Sequence, residues 1–346
     1  MSVLIELAES RYIPDPLLRV GIRRLVGQRL RDERQDDPEA QAERYQRLLM
    51  ELRDSAIALD TDVANEQHYE VPAGFYRAVL GEHLKYSCCY WEKGAHDLSE
   101  AERHMLELYA ERAELADGQR VLDLGCGWGS LTLFMAERYP ASRFTAVSNS
   151  ASQRQYIEAQ AQARGLGNVR VITSDVNALE LDERFDRVVS IEMFEHVRNY
   201  ALLMNRIAGW LDSDGKLFVH IFCHRNLLYP YESEGDDNWM GRYFFTSGLM
   251  PAADTLLHFQ DDLRLERRWN VSGANYQKTA RAWLENLDCN RERVAAELEP
   301  VYGKAGVARW VQRWRMFFMA CEELFGYRGG REWLVCHYRF SRRATR

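Results

Sequence analysis

The sequence predicts an α/β protein built on a mostly parallel, seven-stranded sheet with helices on both faces, preceded by a helical N-terminal region. Three observations carry this. From Gly118 onward, short β-rich runs alternate with helical stretches at the spacing of βαβ units. A glycine-rich turn, Asp123-Leu-Gly125-Cys-Gly127-Trp-Gly129, joins the first of those runs to a helix. Residues before about 115 show helical periodicity instead.

The chain has 346 residues, about twice the usual length of one domain. No stretch approaches the ~18 uncharged apolar residues that a membrane span needs. Residues 1–10 lack the basic start of a secretory signal, so a cytoplasmic location is expected. Lys plus Arg number 45 against 52 Asp plus Glu, a net charge of −7, which argues against nucleic acid as a partner. The seven cysteines are odd in number and no CxxC pair occurs, so reduced thiols are expected and no metal is assigned.

In the N-terminal region (1–115), Asp15 and Pro16 read as a helix start, with Asp15 as the cap. Leu17, Leu18, Ile22, Leu25, Val26 and Leu30 follow at helical spacing, with Arg19, Arg23, Arg24, Arg29, Arg31 and Arg34 between them. Such a basic helix either packs with a solvated charged face or contacts a membrane surface peripherally. A second helix is expected from Pro38 towards Leu59 and a third from Ser99 to Glu114. In the remainder (116–346), "RVLDLGC", "RFTAVS", "VRVITSD", "FDRVVSIEM" and "KLFVHIFC" read as five strands, and "LRLERRWNVSG" and "WLVCHYRF" as two more. Between Arg225 and Asp262 an acidic, aromatic stretch lacks clean periodicity and reads as an insertion capping the ligand edge of the sheet.

Ligands of such sheets bind outside the carboxyl ends of the strands. Glycines at the first strand-to-helix turn let a ligand approach the backbone, and the helix amino terminus offers unpaired amides. The D-x-G-x-G-x-G spacing differs from the G-x-G-x-x-G of NAD proteins and resembles motif I of class I S-adenosylmethionine (SAM) methyltransferases. That resemblance implies a Rossmann-like methyltransferase fold with SAM as cofactor. A nicotinamide-dependent oxidoreductase and a non-catalytic SAM-binding protein are the competing readings. After the second strand no acidic residue is present, so Ser148, Asn149 and Gln153 stand where the ribose hydroxyls would be met. After the third, Asp175 and Val176 are placed for the adenine.

Over nearly its whole length, from "YIPDPLLRVGIRRL" through "YSCCYWE", "LDLGCGWGSL", "IEMFEHVRNY" and "NYQKTARAWLENLD" to "FGYRGGREWLVCHYRF", the chain resembles the group uniting coclaurine N-methyltransferase-like enzymes with cyclopropane-fatty-acid synthases. The resemblance implies that Tyr86 and Ser87 close over SAM, and that Asp123, Gly125, Gly127 and Ile191 complete its pocket. Glu192, Glu195 and His196 sit within five positions after the fourth strand; Glu195 and His196 match the base pair of the coclaurine type, and Glu192 is a feature of that type. Cyclopropane synthases hold a bicarbonate with a cysteine, a glutamate, a histidine and a tyrosine, matched here by Cys88, Glu195, His220 and Tyr276. Two acceptors therefore stay open: a small, largely apolar amine, which is preferred, and an unsaturated acyl lipid methylated with bicarbonate assistance. A homodimer is a further expectation.

Overall fold

The structure is a computed structural model that describes residues 3–59, 71–232 and 238–343. Seven of its strands form one sheet: β1 (Arg120–Leu124), β2 (Arg143–Ser148), β3 (Val169–Thr173), β4 (Phe185–Ile191), β5 (Leu211–His224), β8 (Leu263–Val271) and β9 (Trp333–Arg342). Their order is β3-β2-β1-β4-β5-β9-β8. β1 through β5 pair in parallel, and β9 runs antiparallel to both its neighbours. The sheet is thus parallel except for one strand, because β9, reached from β8 through a long helical stretch, inserts antiparallel between β5 and β8. β6 (Tyr229–Pro230) and β7 (Leu249–Met250) make a separate two-stranded ribbon inside the insertion.

The helices follow the expected alternation, and their apolar sides cover both faces of the sheet. In the N-terminal region they are α1 (Val3–Glu9), α2 (Asp15–Asp32), α3 (Pro38–Asp54), α4 (Ala73–Val79) and α5 (Leu98–Arg112). The crossovers are α6 (Ser130–Arg138), α7 (Ala151–Ala163) and α8 (Tyr200–Trp210), followed by the short α9 (Trp239–Tyr243) in the insertion. The C-terminal pair is α10 (Gly273–Cys289) and α11 (Arg291–Gly326), the latter broken at Gly303, three residues after Pro300. No helix among the described residues is long and apolar enough to cross a membrane.

Several local expectations are corrected. Asp15 does not cap α2: Pro14 occupies the cap position, and the Asp15 carboxylate instead receives Arg315 at 2.6 Å. α3 ends at Asp54, five residues short of the expected limit, because Ser55 adopts an extended conformation. The face of α2 is rotated from the one the spacing suggested. Leu18, Val26 and Leu30 are buried, while Leu17, Val20 and Leu25 are exposed. Part of its basic side turns inward, where Arg19 bonds Glu322 and Glu323 at 2.7 and 2.8 Å. The acidic centre of the insertion, 233–237, lies outside the described residues.

Candidate active site

At the carboxyl ends of β1, β2, β3 and β4 lies a pocket with about 1740 Å³ of empty space, its open mouth included. Its floor is the glycine turn. Gly125 and Gly127 adopt φ of +86° and +52°, in the left-handed region that an L side chain rarely enters. A Cβ on Gly125 would lie 2.7 Å from Cγ of Met193, whereas one on Gly127 would meet open space. The Gly125 and Cys126 amides donate to Val147 O of the adjacent strand, fixing the turn against β2. Asp123 is buried beneath the turn and accepts a 2.6 Å bond from Thr132 Oγ1, and burial pushes its carboxyl up to about 6. Ser130 Oγ, at the first residue of α6, is buried without a hydrogen-bond partner on the pocket wall.

All eleven residues expected to bind the cofactor border this pocket. Ser148 and Gln153 are also bonded to each other, Oγ donating to Oε1 at 2.6 Å. Asp175 accepts from the Asn177 amide at 2.6 Å, an arrangement that shapes the turn after β3. Tyr86 and Ser87 reach the pocket from the loop between α4 and α5. Glu102 of α5 holds that loop by accepting from the backbone amides of Gly81, His83 and Lys85, and burial pushes its carboxyl up to about 7. α10 holds the loop's far end, with Thr279 Oγ1 accepting from the Cys89 amide and Asn275 Oδ1 from the Trp91 amide.

The six candidate catalytic residues divide. Glu192, Glu195, His196 and Tyr276 line the pocket; Cys88 and His220 do not, and stand behind Glu192. Glu192 has φ of +47°, a strained conformation at the end of β4 that folds its side chain back over β5. There its carboxylate gathers three donors. The Cys88 amide and His220 Nε2 meet Oε1 at 2.9 and 3.0 Å, and the Tyr276 hydroxyl donates to Oε2 at 2.6 Å. The Lys85 ammonium, buried close by, donates to Ser87 Oγ at 2.5 Å and Cys88 O at 2.7 Å. Burial holds the Glu192 carboxyl above its ordinary value, against the opposing pull of Lys85, the Cys88 amide, the Tyr276 hydroxyl and His196.

Glu195 stands in contrast. It is 2% exposed and its Oε2 has no hydrogen-bond partner. Burial, and secondarily the charge of Glu192, push its carboxyl well above the ordinary range. His196 stacks on Phe245, ring centroids 6.1 Å apart. Tyr231, Met240 and Phe245 of the insertion, with Trp283, Phe317 and Phe325 of the C-terminal helices, give the rest of the pocket an apolar, aromatic wall. Sequence reasoning expected the aromatic insertion at this edge but missed Trp283, Phe317 and Phe325, along with Lys85, Tyr109, Arg112 and His337, because they come from segments far apart in the chain. The one available signal was the i, i+1, i+4, i+8 spacing of Asn275, Tyr276, Thr279 and Trp283 on one side of α10.

A parallel sheet whose glycine turn and strand ends open into one pocket, with paired carboxylates facing an aromatic chamber, defines the class of SAM-dependent methyltransferases. Comparison with known proteins agrees. Residues 59–331 match the family described as mycolic acid cyclopropane synthetase, and the chain belongs to that family. It is 38% identical to (S)-coclaurine N-methyltransferase of Thalictrum flavum subsp. glaucum, over 99% of this chain and 97% of the relative. The cyclopropane-fatty-acyl-phospholipid synthase of Escherichia coli strain K12 is 31% identical over 65% of this chain and 56% of that protein. A crystal structure of coclaurine N-methyltransferase bound to N-methylheliamine and SAH superposes with a TM-score of 0.94 at 38% identity, covering 98% of both chains. The cyclopropane synthase MmaA2 of Mycobacterium tuberculosis shares the fold, with a TM-score of 0.69 at 19% identity over 84% of this chain and all of the other.

Proposed function

We propose that this methyltransferase transfers the methyl group of SAM to the nitrogen of a small, largely apolar amine. The observation that carries the choice of amine is the Glu192 carboxylate in its nest of three donors. Cys88, His220 and Tyr276 are the residues from which a bicarbonate shell was expected, and all three already serve a carboxylate that belongs to the chain. They do not fit a second, free anion, so no step is assigned to bicarbonate. The orphaned Ser130 Oγ and the open space over Gly127 support SAM as the ligand of the glycine turn. The reading places Gly125 and Gly127 against its carboxy-amino end, Ser148, Asn149 and Gln153 by the ribose, Asp175 and Val176 by the adenine, and Asp123, Ile191, Tyr86 and Ser87 around the remainder.

Bound SAM supplies a methyl carbon activated by the adjoining sulfonium. The chain has to present an amine lone pair in line with that carbon, and an amine at neutral pH arrives protonated. Glu192, its carboxylate fixed by its three donors, faces the ammonium. Glu195, whose free oxygen faces the same space, accepts the proton as the amine becomes nucleophilic, and its raised carboxyl makes it a stronger base than an ordinary glutamate. With SAM held there, the nitrogen lone pair would form the N–C bond and the S–C pair would return to sulfur. His196, stacked on Phe245, supports this pair of carboxylates, and the aromatic wall excludes water. The cap role of residues 225–262 and the closing role of 1–115 belong to the same reading, as does a cytoplasmic setting, which the free cysteines suit. The inward salt bridges of α2 weigh against peripheral membrane contact.

The test is turnover with SAM and either coclaurine or vesicles of unsaturated phospholipid, read by mass spectrometry. Amine methylation at a rate unchanged in carbon-dioxide-free buffer is expected. Methylation of the lipid alone, or a rate that collapses without bicarbonate, would refute the reading.

A further inference from the structure

His220 on β5 and His337 on β9 are direct partners across the antiparallel pair, and both are fully buried. Together they extend a line of polar contacts from the half-buried Arg112, at the end of α5, to Glu192 in the pocket. An Arg112 guanidinium nitrogen lies 2.8 Å from Nδ1 of His337. Nε2 of His337 lies 2.9 Å from Nδ1 of His220, and Nε2 of His220 lies 3.0 Å from Oε1 of Glu192. The first member of this line dictates the direction of every bond in it. A guanidinium only donates, so Nδ1 of His337 accepts, and a neutral imidazole that accepts there carries its proton on Nε2. That proton points at Nδ1 of His220, which forces the His220 proton onto Nε2 and aims it at the carboxylate. Burial holds both rings in the neutral form this requires, helped by the Lys85 and Arg112 cations.

We propose that Arg112 and His337 are positioning residues for methyl transfer, which by fixing the tautomer of His220 keep it a donor to Glu192 and so keep that carboxylate ionised and in place. Other groups face the line from every side. Lys85 and Cys88 come from the loop before α5, Tyr276 from α10, Glu195 and His196 from the turn after β4, and Cys321 from α11. Tyr109 of α5 places its hydroxyl 2.8 Å from Nδ1 of His220, where it acts as a second donor to the same lone pair. Tyr90, Glu111 and Arg267 surround Arg112, which also stacks on Trp269. A hydroxyl can donate or accept, so Tyr109 alone leaves the His220 proton free to sit on either nitrogen, and His337, whose direction Arg112 fixes, is the donor that decides.

Two measurements test the proposal, and only the second depends on the methyl-transfer reading. In the intact protein labelled with [15N]histidine, the ring shifts of His220 and His337, assigned by their absence from His220→Gln and His337→Gln spectra, are expected to report neutral Nε2–H tautomers from pH 5.5 to 8.5. Titration of either ring in that range, or an Nδ1–H tautomer at His220, would overturn it, whatever acceptor the enzyme uses. In turnover with SAM and coclaurine, His337→Leu is expected to raise the midpoint of the acid limb of kcat/KM by about one pH unit, a roughly tenfold loss on that limb. KM for SAM should stay unchanged. His337→Gln retains an acceptor for Arg112 and a donor for His220, and is expected to keep the wild-type limb with a rate within about twofold. Equal losses in both variants with an unmoved limb would reduce His337 to packing. Should His337→Leu not fold, Arg112→Met read by the same spectra decides, with loss of the single Nε2–H tautomer at His220 expected and an unaltered His220 fatal to the idea.

Discussion

Two glutamates three positions apart have opposite surroundings, and their division of labour follows from that. Glu192 is surrounded by donors and Glu195 has a bare oxygen. Replacing Glu195 by Gln removes the proton acceptor proposed above while preserving shape, and kcat is expected to fall by about 10²-fold or more with little change in SAM affinity, measured by titration calorimetry. Because the folded protein raises this carboxyl, Glu195 is protonated at low pH and becomes a base only as pH rises past its elevated midpoint. The rate should therefore decline on the acid side at a pH well above the ordinary carboxylate range; Glu195→Gln should remove this step from the pH–rate profile and leave the separate step set by Glu192, the one that His337→Leu moves. Glu192→Gly makes a different prediction. Glycine relieves the left-handed backbone at that position but strands the Cys88 amide, His220 and Tyr276 hydroxyl around a void. Formate or bicarbonate should then bind in that void, raising the melting temperature of the variant and restoring part of its rate, with no such effect on the wild type.

At the scale of elements, the site depends on how few segments hold it. The turn from β1 into α6 needs glycine at 125 for two reasons, its φ of +86° and the 2.7 Å approach of Met193. Gly125→Ala is expected to cost about 1–3 kcal/mol in urea unfolding and to weaken SAM binding more than it weakens folding, since the displaced Met193 neighbours both Glu192 and the turn. The spacing of α10 does related work. Tyr276 meets Glu192, while Asn275 and Thr279 hold the loop that delivers Cys88, so one helix sets both sides of the nest. A periodicity argument places these residues on one side of α10 but is silent on which strand end they face.

Across the whole molecule, the long helix α11 binds the N-terminal helices to the insertion. Arg313 makes two 2.9 Å bonds to Glu9 of α1, which also accepts from Trp239 Nε1 at 2.9 Å, and all of this is largely buried. Glu9→Ala leaves a buried guanidinium without its carboxylate, and a loss of about 3 kcal/mol or more is expected, seen as a melting temperature several degrees lower. Arg315 makes a similar clamp on Asp15 and Asp288, although those carboxylates are more open to water and its removal should cost less.

The sheet, its glycine turn and the residues that border the pocket at the strand ends were legible in the sequence because they obey local rules: alternating elements, strand-end placement and a fixed motif spacing. The position of Asp15 and the face of α2 were not, since a cap and an amphipathic stripe yield to a better partner elsewhere, here Arg315 and the acidic side of α11. Likewise, the motif containing Glu192, Glu195 and His196 marked one corner of the pocket, but could not say that Cys88, His220 and Tyr276 would close on Glu192. Nor could it say that Arg112 and His337 would stand behind them. Sequence alone determined what kind of sheet forms and which strand ends border the pocket, as these follow from neighbours along the chain. Tertiary structure decided the protonation and direction of the buried groups, because a proton's position is set by whichever donors and charges meet in space, and here they come from six separate segments.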